Sequence, residues 1–255
     1  MIKFFKYSFI LSAFLIFSGC ASTQEELTSI IQSNAATLIT KDQKRLQELL
    51  VKFKKKLDIR NPSAYSKNDE RRIYTLIKNT NANFLLKYKG KILEDYKEYL
   101  QIAFSKDKIE NRNDYLVLAI YYMISNAFDF KVAHKLTAMQ FEKEKLNKLY
   151  KNLQIIRWKI KVDRDINGEY LFLTWQNNWQ IELEHRLKKN SNLSYEEIKH
   201  LWHIENSKET LLDHSNFSFE VMLTQMIDSV ENSLKALGEE PKDLSISALK
   251  IFIFL

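Results

Sequence analysis

"YLVLAIYYMISNAFDF", residues 115–130, is the stretch whose reading decides the fold of this 255-residue chain. It is apolar on most faces and is interrupted by Ser125, Asn126 and Asp129. At 16 residues it is shorter than the about 20 that a membrane-crossing helix needs. A helix that is apolar nearly all round must be covered by neighbours. The stretch therefore reads as the central buried helix of a domain whose other elements wrap around it.

Composition says what those neighbours are. The chain holds 4 glycines and 2 prolines, with 45% hydrophobic and 28% charged residues. Sandwiches and Gly-rich nucleotide folds consume glycine and proline in turns and close backbone approaches. Their scarcity predicts long helices joined by short polar loops: a mainly all-α, irregular multi-helix bundle. The length supports one domain with a substantial core.

Working outward, amphipathic spacing recurs on both sides. Thr23 with Glu26 fits a capping box, and Leu27, Ile30, Ile31 and Leu38 share a helical face. Thr40 with Gln43 reads as the opening of a second helix, carrying Leu46, Leu49, Leu50, Phe53 and Leu57. Pro62 stops it, and Ser66 and Asp69 can cap a helix with Ile73, Leu76 and Ile77. Leu93, Tyr96, Leu100 and Phe104 predict helix between Phe84 and Phe104, followed by a polar connection, "SKDKIENRND". Downstream, Leu146, Leu149, Leu153 and Ile156 continue the pattern, and Ser194 with Glu197 makes another capping box. A long helix from about Phe217 ends at Gly238, which stands where a C′ glycine belongs, with Pro241 just beyond. The tail "LSISALKIFIFL" is open between a last helix and a short strand.

Residues 156–175 are also open. Ile156, Trp158, Ile160 and Val162 alternate with Arg157, Lys159 and Lys161, and Asn167-Gly168 signals a hairpin turn. A small β-hairpin near 156–175 competes with a helical hairpin bent at "DRDING". The helical flanks favour helices.

The formal net charge is +7. The densest basic run is "KFKKK", Lys52 to Lys56, where Phe53 should face the core while the lysines fan across the solvated side. Scattered charge of this kind is a solvated helix face, so no nucleic acid is expected as a partner.

Residues 1–19 have a tripartite layout: Lys3 and Lys6, an apolar run from Phe9 to Phe17, then the small Ser18 and Gly19. Cys20, the single cysteine of the chain, follows at once. The arrangement Phe17-Ser18-Gly19-Cys20 resembles the lipobox of bacterial lipoprotein precursors, with Phe17 where that class usually has Leu. The resemblance implies that residues 1–19 are a cleaved signal peptide. Cys20 would then be joined by a thioether to diacylglycerol, acylated (palmitate-type chains), and become the first residue of the mature chain. Residues 20–255 are then a single periplasmic helical domain, anchored to the membrane by lipid at its N-terminus. Ala21 and Ser22 stand where an Asp often retains such proteins at the inner membrane. The resemblance therefore implies the periplasmic face of the outer membrane. Chemistry agrees, because a thiolate is the good side-chain nucleophile for a thioether. Two or three acyl chains also hold where one does not, at about 0.8 kcal/mol per buried methylene.

Catalytic signatures are sparse. There is no G-x-S-x-G and no phosphate-cradling glycine loop. "DRDING" resembles the start of a calcium loop, with Asp163, Asp165, Asn167 and Glu169 as oxygen donors, but Thr174 occupies the place of the bidentate Glu. His200 and His203, spaced i, i+3 on one expected helix, form a candidate zinc-like pair. Trp175 and Trp179, spaced i, i+4, could line a partner groove. No resident cofactor is expected. The leading expectation is a non-enzymatic interaction or accessory module of the cell envelope, with a protein partner there. The alternatives are a membrane-tethered metal-dependent hydrolase and a calcium-stabilised ligand-binding module.

Overall fold

Helix α4, Arg112–Phe128, is the hub that the others cover. In the computed structural model, which describes residues 33–79, 82–130, 138–211, 217–251 and 254, every α4 side chain from Arg112 to Ile124 except Tyr122 is buried, together with Ala127 and Phe128. The helix stops where Asp129 adopts a left-handed conformation (φ 50°) and its neighbour's N–H turns back to Ser125. Helix α3, Tyr96–Ala103, and helix α5, Lys143–Val162, both pack on α4. Helix α2, Glu70–Lys78, touches it through Ile73, Leu76 and Ile77 on its buried face. Helix α9, Ser218–Ala236, lies on α5, as does the short α10, Ile246–Ile251. The ambiguous tail is therefore helical over those six residues. Helix α6, Asn178–Lys189, packs on α8, Trp202–Glu205, with α7, Tyr195–Lys199, between them in sequence. The mainly helical reading holds. Among the described residues no helix is long and apolar enough to cross a membrane.

The first described helix, α1, runs unbroken over 33–60. No second helix opens at Thr40. Its hydroxyl instead donates back to the carbonyl of Ala36 at 2.9 Å, which satisfies the side chain without ending the helix. Ile39, Leu46, Leu50, Phe53 and Leu57 are wholly buried, while Leu38 is 44% exposed. Leu38 lies about 100° around the helix from Ile39, on the side that no described element covers. The Thr23–Glu26 capping box, Leu27, Ile30, Ile31 and the whole leader with Cys20 lie outside the described residues. α1 joins α9 through an edge-to-face contact of Phe53 and Phe219, with ring centres 5.8 Å apart. The Ser233 hydroxyl of α9 also donates to Asp42 at 3.1 Å.

Two segments differ from the helical expectation. Between Phe84 and Asp95 the chain forms a two-stranded hairpin, β1 (Lys87–Tyr88) antiparallel to β2 (Lys91–Ile92). Lys89 and Gly90 both take positive φ, 48° and 83°, the pair of signs a type I′ turn requires. Glycine makes this inexpensive at the second position. The hairpin base is seated by Tyr99 of α3, whose hydroxyl accepts from the Leu86 N–H at 3.0 Å and donates to the Leu93 carbonyl at 3.1 Å. Helix begins only at Tyr96, where Asp95 accepts from the Lys97 N–H.

In 156–175, helix wins up to Val162 and the return arm is irregular. Of the hairpin alternative, one isolated bridge remains, Arg164 with Tyr170. The arm is held by the C-terminal end of α1. The Asn61 side chain donates to the carbonyls of Leu57 and Leu173, and accepts from the Leu173 N–H at 2.8 Å. At its far end α9 closes as expected: Gly238 (φ 75°) donates to Lys235 and Glu239 donates to Leu234, the double bond of a Schellman cap.

Candidate functional site

The stretch "KFKKK" yields two different environments on α1. Phe53 points inward as expected, but Lys54 is fully buried rather than solvated. Its Nζ lies 2.7 Å from Asp58 one turn on, and 3.0 Å from Asp114 at the start of α4. The rings of Tyr65 and Tyr74 stand 5.3 and 5.5 Å from the ammonium. Asp114 also accepts the Ser66 N–H at 2.7 Å, and Asp58 accepts from the Asn113 amide at 3.1 Å. The end of "SKDKIENRND" is therefore core: Arg112, Asn113 and Asp114 are all buried. Arg112 is satisfied by the carbonyls of Ala103, Ser105 and Asp107.

The trio of Lys54, Asp58 and Asp114 carries one net negative charge out of water. Burial raises both carboxyls above the usual carboxylate range, and Lys54 only partly offsets it. Tyr74 beside them is pushed up to about 12 by burial and by Asp58 and Glu70. A raised carboxyl means that the folded chain holds its proton more tightly than the unfolded chain does. Its contribution is present below the unfolded pKa of 3.8 and is lost as pH rises through the folded value. Asp58→Asn removes one such carboxyl. The melting temperature of that variant relative to wild type should thus be highest at pH 7–8 and fall steadily as pH is lowered toward 4. A difference independent of pH would contradict the direction of the shift. With Lys54 wholly enclosed, the trio binds α1 to α4 and offers no surface to a substrate.

The surface feature that best fits a binding role lies on another side of the same helix. A groove of about 650 Å³ runs between α1 and the C-terminal end of α2. Gln43, Gln47 and Val51 are half-buried along its floor, and Thr40, Lys44, Glu48 and Lys52 form an exposed rim one turn apart. Lys78 closes the opposite side. The Gln47 amide donates to the Ile77 carbonyl at 2.8 Å and fixes the distance between the two helices. Among the described residues Lys44, Lys52 and Lys78 have no hydrogen bond or ion pair, although Glu48 is one turn from both Lys44 and Lys52. Many surface lysines elsewhere, among them Lys143, Lys145, Lys188 and Lys199, do pair with carboxylates. The sequence marks Lys52 as part of a basic run. It gives no sign of Lys78, because the two meet only through packing.

The residues singled out from sequence are placed apart. His200 and His203 do not share a helix: α7 ends at Lys199 and α8 starts at Trp202. The His200 ring pairs with Glu205, and the His203 ring is near the Ser207 hydroxyl at 3.4 Å. His203 shares a hollow of about 420 Å³ with His185 of α6 instead, over Leu173 and Ile181. Buried Leu201 between the two helical turns divides the expected pair.

"DRDING" is a closed turn. Asp163 pairs with Lys159, and Asp165 accepts the N–H groups of Asn167 and Glu169 at 2.8 and 2.9 Å. The Glu169 carbonyl is taken by the Asp165 N–H, and its carboxylate by Lys188 and His185. Thr174, at the last ligand position, is buried and donates to the Ile160 carbonyl at 2.9 Å. These oxygens serve the turn itself. Among the described residues no group of three or more His, Cys, Asp or Glu side chains is disposed to hold a metal ion.

Trp175 precedes α6 and Trp179 lies within it, so the two do not form an i, i+4 pair on one helix. Trp175 stacks edge-on with Phe217 and donates to Glu220. The Trp179 indole N–H is buried without a partner among the described residues.

No protein-family model, no curated protein and no solved structure matches the chain.

Proposed function

We propose that the chain is a lipid-anchored cell-envelope protein whose helical domain serves as a non-enzymatic interaction module at the periplasmic face of the outer membrane. The observation that carries the anchor is the order of residues 14–22, "FLIFSGCAS": an apolar run, two small residues, then the single cysteine. The interaction reading draws support from the open groove of α1 and α2 with three lysines that have no partner among the described residues. It also draws support from the titratable groups elsewhere. Lys54, Asp58 and Asp114 are sealed in the core, and Asp163, Asp165 and Glu169 are engaged within their own turn and with α6.

Cys20→Ala tests the anchor. Metabolic labelling with radioactive palmitate should mark the wild-type chain and leave the variant unlabelled. The variant should also accumulate as a precursor longer by the 19 leader residues. Normal acylation and normal processing of Cys20→Ala would refute the anchor.

A further inference from the structure

We infer that the groove between α1 and α2 receives an acidic amphipathic helix from a protein partner. The inference rests on the interaction reading above and names the class of partner. Three observations point to it. The first is shape. From Thr40 to Lys52 the groove extends along α1 for about 18 Å, taking 1.5 Å per residue. Among the described residues its lining is seven side chains of α1 and, across from them, Lys78 at the C-terminal end of α2, where the Gln47–Ile77 hydrogen bond joins the two helices. A concave face of this length matches the ridge of a helix of about three turns.

The second observation is the floor. Val51 and the aliphatic stems of the surrounding lysines and glutamines supply apolar surface between polar edges. That pattern matches a helix with one apolar stripe flanked by polar residues.

The third is charge. Lys44 and Lys52 stand on one rim and Lys78 on the other, with Glu48 as the one carboxylate among the described lining residues, and none of the three lysines is paired among the described residues. Carboxylates on both flanks of an incoming apolar stripe would meet ammonium groups on both rims. A basic helix would bring like charges together, which disfavours it. Because the lysines are unpaired before binding, no internal ion pair has to be broken.

The test uses the full chain purified in detergent and fluorescent synthetic helical peptides of about four turns. One peptide carries leucines at i, i+3, i+4 and i+7 with glutamates on both flanks, and its counterpart carries lysines in place of the glutamates. Anisotropy should show the acidic peptide binding at least about tenfold more tightly than the basic one, and more weakly as salt rises. Lys44→Gln, Lys52→Gln and Lys78→Gln together should reduce that binding at least about tenfold with little change in melting temperature, since all three are exposed and the amides place no new charge beside Glu48. Val51→Asp should weaken it through the floor. Equal binding of the two peptides, or binding indifferent to the triple variant, would overturn the inference. So would lysine-dependent binding to phosphatidylglycerol vesicles that the acidic peptide does not displace, which would assign the face to the membrane. The Cys20→Ser chain separates the two proposals. Peptide binding without acylation upholds the groove whatever becomes of the anchor. Acylation with no peptide binding by either chain upholds the anchor and refutes the groove.

Discussion

Lys54→Met should destabilise the folded chain by about 3–5 kcal/mol, as expected when one partner of a buried charge cluster is removed. Methionine matches the aliphatic stem, so the loss is electrostatic rather than a cavity. Asp58 and Asp114 would remain buried, facing each other without a cation. At this chain length each kcal/mol lowers the melting temperature by about 2–4 °C, so a fall of about 6–20 °C is expected in a thermal melt. The matched control is Lys52→Met, exposed and unpaired, which should stay within about 0.5 kcal/mol. Converting Asp58 and Asp114 to Asn in the Lys54→Met background should recover much of the loss, because amides need no counter-charge. A Lys54→Met variant as stable as Lys52→Met would show that the trio does not hold α1 to α4.

The neighbouring residue should cost as much for a different reason. Phe53→Ala is expected to lose about 3–5 kcal/mol, the range for truncating a buried aromatic. Phe53 is wholly enclosed and meets Phe219 edge to face. A double-mutant cycle in urea with Phe219→Ala should return a coupling of about 0.5–1.5 kcal/mol for the ring pair. Unlike Lys54→Met, the Phe53→Ala loss should not change when Asp58 and Asp114 are made neutral. If the two variants responded alike to those Asn substitutions, the distinction between a packing loss and a charge loss would be wrong.

Residues 53 and 54 also divide what could be read directly from what could not. Phe53 lies seven residues after Leu46, three after Leu50 and four before Leu57, so its burial follows from helical periodicity. Lys54 occupies the same face, four residues after Leu50 and three before Leu57. Spacing placed it inward while its charge argued outward. Asp58 at i+4 was the local hint, but a single i, i+4 pair is ordinary on a solvated helix. The second carboxylate comes from Asp114, sixty residues further on. The groove was hidden for a similar reason. Lys44 and Lys52 are ordinary rim residues until α2 brings Lys78 opposite them.

The amino-acid sequence alone determined the helical class, the buried hub at 115–130, the inward faces of α1, α2, α5 and α9, and the caps at Ser194 and Gly238. These depend on periodicity, on side-chain hydrogen bonds within a few residues and on glycine's access to positive φ, all of which are local. It also carries the whole case for Cys20. The tertiary structure decided the rest. It placed a hairpin at 87–92 over Tyr99, and drew the arm after Val162 onto Asn61. It buried Lys54 against α4 and put His203 beside His185 rather than His200. Each of these depends on partners distant in the chain. Local pattern does not contain them, because a buried polar group is stable only where another element supplies its hydrogen bonds and its opposite charge.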